Sequence, residues 1–113
     1  MINAIGSSLA GLFVHRAKIN TTAHNVANVN TDGFKKDRVT IQSNESGLPE
    51  ANITKVDTPG YTIQGPEGEI ETSNVDLAEE MVNLTIGKLG YMANLRVLQS
   101  EEEMIDSVLD IIA

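Results

Sequence analysis

Apolar residues recur every seven positions at both ends of this chain and lose that rhythm between them. Near the start, Ile5, Leu12, Ile19 and Val26 form one row, and Ile2, Leu9, Arg16 and Ala23 form a second, offset by four. This alternation of threes and fours is that of a coiled-coil seam, with Arg16 as the exception. A continuous helix from Ile2 to Val29 would run about 42 Å. Beside the seam, Ala4, Ser8 and Gly11 make a stripe of small residues where another helix can come close. Gly6 and Gly11 each weaken a helix by about 1 kcal/mol relative to alanine, so this segment is expected to need packing for its order.

The second pattern is longer. Leu77, Leu84, Tyr91, Leu98, Ile105 and Ile112 stand seven apart, with Met81, Lys88, Leu95, Glu102 and Leu109 as the companion row. Ala78, Val82, Leu89 and Met92 widen the apolar face, and Val97, Met104, Val108 and Ile111 widen it further. A face so broad exceeds what one partner helix can bury. Ser73 with Asp76 resembles a capping box, and Asp76, Glu79 and Glu80 suit the positive end of a helix dipole. From Val75 to Ile112 the helix would span about 57 Å. Ser100-Glu101-Glu102-Glu103 has the chemistry of a fresh cap, but the periodicity runs through it and an unbroken helix is expected. Gly87 and Gly90 fall on nearly one face and predict a groove for a neighbouring helix, at a contact between subunits.

Between these patterns the chain reads as short strands and turns. Arg38–Gln42 alternates like a strand, 44–50 is a loop, and Asn52–Val56 is a second strand. Thr58-Pro59-Gly60-Tyr61 carries a type II turn signal, with glycine supplying positive φ. Tyr61–Gln64, Gly65-Pro66-Glu67-Gly68 and Glu69–Thr72 read as a hairpin. The expected fold is therefore mainly α. Two long terminal amphipathic helices pack as an antiparallel coiled-coil pair, joined by a short β-hairpin and turn-rich connector. The segments are 1–31, 32–72 and 73–113 of one structural unit.

Charge removes several functions from consideration. The 113 residues carry a formal net charge of −8, and residues 1–31 contain Arg16 and Lys18 but no acid. Acids crowd the chain from Glu67 onward, against only Lys88 and Arg96. A chain so acidic lacks the basic patch that nucleic acid requires. There is no cysteine, hence no disulfide and no thiolate metal site. No apolar run approaches the roughly 20 residues of a membrane span, and stable membrane insertion is not expected. The start lacks the basic, apolar and small-residue regions of a cleaved signal peptide. His15 and His24 are too far apart along a helix to chelate one ion. There is no phosphate loop and no nucleophile elbow. Catalytic, cofactor-binding and metal sites are all expected to be absent.

Two motifs carry the functional signal. The first is Asn25-Val26-Ala27-Asn28-Val29-Asn30-Thr31-Asp32-Gly33-Phe34. Asn28 and Asn30 can end a helix through bonds to nearby backbone, Gly33 turns the chain at positive φ, and Phe34 anchors the turn. The second is Ser73-Asn74-Val75-Asp76-Leu77-Ala78-Glu79-Glu80-Met81-Val82-Asn83-Leu84, continued by Gly90-Tyr91, Ala93-Asn94 and Val97. In that order the two resemble the N- and C-terminal motifs of bacterial flagellar rod and hook proteins. The resemblance covers most of residues 1–36 and 73–113; Lys88-Leu89 and Met92 depart from the usual pattern.

The resemblance implies a structural, non-enzymatic axial subunit of the basal body, a short rod-like member that self-assembles through its helices into a torque-transmitting shaft. It implies as partners copies of itself, related rod and hook proteins and the flagellar export apparatus. It also implies a periplasmic rod location reached by type III export without a cleaved signal. Asn25, Ala27, Asn28, Asn30, Thr31, Gly33 and Phe34 are the motif and turn residues. Ile5, Leu9, Leu12, Ile19 and Val26 are expected to pack the first helix. Leu77, Met81, Leu84, Gly87, Gly90, Tyr91, Leu98, Ile105 and Leu109 are expected to do so in the second. The alternatives are an amphipathic membrane-surface or adaptor coiled-coil protein, or a reduced rod paralogue that does not polymerise. A membrane-surface helix wants more bases and aromatics than Arg16, Lys18 and Phe13.

Overall fold

The computed structural model describes residues 2–113; Met1 and the side chain of Ile2 lie outside the described residues. Helix α1 spans Ile2–Ala27 and helix α2 spans Leu77–Ile112, unbroken through Ser100. Between them lie β1 (Asp37–Ser43), β2 (Pro49–Lys55), β3 (Thr62–Gly65) and β4 (Gly68–Glu71). The protein is mainly helical, with two small antiparallel strand pairs joining the helices. β1 pairs with β2 from Asp37 opposite Lys55 to Ser43 opposite Pro49. β3 pairs with β4, Ile63 opposite Ile70, around a two-residue Pro66-Glu67 turn. The first pair is closed by Asn44, whose Oδ1 accepts from the Ser46 and Leu48 amides, with Gly47 at φ 75°.

α1 stops where its motif predicts a stop. The Asn28 and Val29 amides donate three residues back, to Asn25 and Val26, which tightens the last turn. Asn28 Nδ2 caps the His24 carbonyl at 2.9 Å, and Thr31 Oγ1 donates to Asn28 Oδ1. Gly33 adopts φ 69°, the left-handed conformation glycine takes at little cost. α2 begins differently from expectation. Its N-cap is Asp76, whose carboxylate accepts from the Ala78 and Glu79 amides. Ser73 Oγ instead accepts from the Val75 amide, outside the helix.

The helices meet through small residues. A methyl group added at Gly11 would lie 2.7 Å from Asn94 Oδ1, and one at Gly90 would lie 2.3 Å from His15 Cε1. At Gly87 it would lie 3.0 Å from Ile19 Cγ1. Partners descend along α2 as they ascend along α1, so the two run in opposite directions where they touch. The contact line is not the expected heptad seam. It follows Ser8, Gly11, Val14 and Thr22, all buried, so it is rotated toward the small-residue stripe. Leu9 of the second row stays 45% exposed, and Arg16 and Ala23 face solvent. Ile5, Leu12, Ile19 and Val26 are half-buried, as are Leu84, Tyr91, Leu98 and Ile105. Leu77, Met81 and Leu109 are exposed. Gly87 and Gly90 sit against α1 of the same chain, which corrects the expectation of a contact between subunits. The physical reason is distance: two backbones approach most closely where glycine faces a side chain, and that closeness fixes the line of contact.

Burial is unusual for a chain of this size. Among the described residues Val14 is the one hydrophobic side chain that is fully buried, while Ser8, Thr22, Asn25, Lys36, Ser73, Glu80 and Glu101 are buried polar ones. Most large apolar residues of α2 face solvent.

Candidate functional site: a junction clasped by two asparagines

The two motifs meet where the connector leaves α1 and enters α2. Asn25, in the last turns of α1, is 1% exposed. Its Nδ2 donates to the Asp37 carbonyl at 2.8 Å, and its Oδ1 accepts from the Asp37 amide at 3.0 Å. One side chain thus mimics a strand partner and fixes the start of β1 to the helix. Asn74 does the same from the other motif. Its Oδ1 accepts from the Lys36 amide at 2.7 Å, and its Nδ2 donates to the carbonyls of Val56 and Thr58. Buried main-chain groups without sheet partners must find others, and these two amides supply them.

Lysines tie the same region. Lys36 is buried, and its ammonium meets Glu79 Oε2 in the first turn of α2 at 2.5 Å. Lys35 pairs with Glu71, and Gly60 donates its amide to the same carboxylate. The Lys35 ammonium, and after it the Gly60 amide, hold the Glu71 carboxyl below its usual range. The Gly33 amide donates to the Glu71 carbonyl, and the Asn74 amide to that of Phe34, so the two motifs are also bonded backbone to backbone. Phe34 packs edge-on against His24, ring centroids 5.5 Å apart. Ala27 and Asn30 are exposed beside this junction.

Gly60 departs from the turn expected of it. Its φ is not positive; its requirement is space, because a methyl group there would lie 1.9 Å from the Thr72 carbonyl oxygen. The Thr72 amide and hydroxyl both donate to the Tyr61 carbonyl, which holds the turn against β4.

Beside the clasp a cavity of about 170 Å³ is lined by Lys18, Thr22, Lys36, Arg38, Glu80 and Asn83. Glu80, 2% exposed, places a carboxylate among those bases. Farther along α2, Glu101 is buried and its Oε2 has no hydrogen-bond partner among the described residues. His15, pressed on Gly90, has a buried Nδ1 with no hydrogen-bond partner among the described residues. Burial, and secondarily the nearby Lys18, lower its pKa. Among the described residues no group of three or more His, Asp or Glu could hold a metal ion, and no helix is long and apolar enough to cross a membrane.

Sequence reasoning quoted Asn25 and Asn74 as motif letters without finding their work. The available signal was a helix interior carrying asparagine, a poor helix former, at a position on the packed face. The Lys36–Glu79 and Lys35–Glu71 pairings carried no signal, since they join residues 43 and 36 positions apart.

Comparison with known proteins matches the two motif regions separately. Residues 11–35 match the family described as flagella basal body rod protein. Residues 67–111 match that described as flagellar basal body rod FlgEFG protein C-terminal. The flagellar hook protein FlgE of Treponema pallidum (strain Nichols) is 31% identical over 84 residues, covering 73% of this chain and 18% of the hook protein. The chain thus spans about a fifth of that relative's length. Asn25 comes from one matched stretch and Asn74 from the other, and the clasp joins them through connector residues that neither includes. On these matches the chain belongs to the flagellar basal-body rod and hook protein family.

Proposed function

We propose that this protein is a structural axial subunit of the flagellar basal body, built into the rod through the outer faces of its two helices and transmitting torque there. Its partners are related rod and hook proteins and further copies of itself. It reaches the periplasmic rod through the flagellar export apparatus. The observation that carries the reading is the unspent apolar surface of α2. Val82, Ile86, Leu89, Met104 and Ile111 are each about half exposed or more, although the helix is already packed on α1. Exposed apolar area on that scale marks a surface made for partners. The clasped junction suits the role, because it makes the two helices and the connector one body able to carry load.

The test is isolation of basal bodies from cells carrying an epitope-tagged copy. The expected result is the tagged chain in stoichiometric amount in the rod fraction, and loss of swimming on deletion. A chain absent from basal bodies in swimming cells, and dispensable for swimming, would overturn the reading.

A further inference from the structure

α2 is divided by charge. Residues 81–100 contain no acid and carry Lys88 and Arg96; residues 101–113 contain Glu101, Glu102, Glu103, Asp106 and Asp110 and no base. On the side away from α1, at 3.6 residues per turn, one seam runs through both parts. It passes through Ile86, Leu89, Ala93, Ser100, Met104 and Ile111, mostly apolar or small and all exposed. Ile86 is 50% exposed, Leu89 62% and Ile111 84%. Arg96 and Glu103 border this seam on one flank, with Asp110 farther round on the same side, while Lys88 lies on the far face of the helix.

The geometry points to a second copy of this chain as the cover for this seam, its α2 running antiparallel about a two-fold axis near Ser100. Direction follows from the flanks. Parallel helices bring opposite flanks together, which would set these charges against the apolar side of the partner. Antiparallel helices bring like-named flanks together. Arg96 then stands opposite Glu103 of the second copy, and the two-fold axis repeats the pairing. The small residue Ser100 lies near the axis, where the backbones come closest. A tip-to-tip pairing of the acidic ends alone would instead bring five acids against five.

Such an interface is isologous and closes at two copies. It covers the face that the rod subunit uses in assembly, so the dimer is a storage form that must open before incorporation. That consequence, but not the dimer, rests on the reading given under Proposed function.

Sedimentation equilibrium on the purified chain tests it. The expected result is a monomer–dimer equilibrium that stops at two and weakens with salt. Arg96→Glu should weaken dimerisation on the order of tenfold, as should Glu103→Lys, since two ion pairs become repulsive. Both changes in one chain should restore it. Ser100→Cys should form an intermolecular disulfide on oxidation, and Ser7→Cys should not. Circular dichroism confirms that each variant stays helical. A chain monomeric at every concentration overturns the proposal. So does a dimer indifferent to both charge reversals, failure of the double variant to recover, or growth beyond two copies. Incorporation into basal bodies without dimerisation would sink the storage dimer alone; dimerisation without incorporation would sink the rod reading alone.

Discussion

Replacing Asn25 by alanine should cost far more than replacing Asn28, although the two look equivalent in the motif. Asn25→Ala removes two hydrogen bonds to the Asp37 main chain and leaves that amide and carbonyl facing a buried gap. Each intramolecular bond contributes about 0.5–1.5 kcal/mol net, and a buried group left unpaired costs about 1–3 kcal/mol. Asp37 is only half-buried, so water recovers part of that penalty, and the expected loss is about 2–3 kcal/mol. Asn28 caps one carbonyl at a solvated helix end, and Asn28→Ala should cost about 0.5–1 kcal/mol. Urea unfolding followed by circular dichroism gives both numbers. Asn25→Asp sharpens the comparison. The carboxylate still accepts from the Asp37 amide but turns a second anionic oxygen toward the Asp37 carbonyl. Protonation restores a donor, so the folded state raises the pKa of the new carboxyl and the variant regains stability as pH falls. Equal losses for the two alanine variants, or an aspartate variant that does not recover in acid, would refute the clasp.

The remaining predictions concern the helix contact, its titration and the two turns. Gly90→Ala gains about 1 kcal/mol of helix propensity but drives a methyl into the His15 ring, an overpacking cost of about 1–3 kcal/mol. It should therefore be net destabilising alone and stabilising in a His15→Ala background; a stabilised single variant would contradict the contact. His15 has a lowered pKa in the folded state, so the unfolded chain binds its proton more readily. Stability should accordingly fall as pH drops below the ordinary histidine value of about 6.5, and a urea-midpoint profile of His15→Gln should lose that dependence. Gly60→Ala meets backbone at 1.9 Å and should cost about 3 kcal/mol or shift the β3–β4 hairpin. Gly33→Ala, open in space but left-handed in φ, should cost only about 1–2 kcal/mol. Equal costs for these two would mean that Gly60 is not held where the structure places it.

The features legible in the sequence are those decided within a few residues. Seven-residue rows set two amphipathic helices, because periodicity of side chains is a property of the helix itself. Alternation and turn chemistry placed both strand pairs, and glycine at Gly33 marked a positive φ. The asparagine motif marked the end of α1. Tertiary structure decided everything that depends on who stands opposite. The broad apolar face of α2 left several stripes open to α1, and the choice fell on the one where Gly11, Gly87 and Gly90 let the backbones approach. Periodicity measures the width of a face, not the steric depth at each point along it. Asn25, Asn74 and Lys36 owe their roles to groups that the chain brings near only after it has turned back through the connector. Gly60 is a glycine because of Thr72, a neighbour in space alone. Asp76, not Ser73, caps α2, because the bonds that hold Asn74 in the clasp fix where the chain turns into the helix.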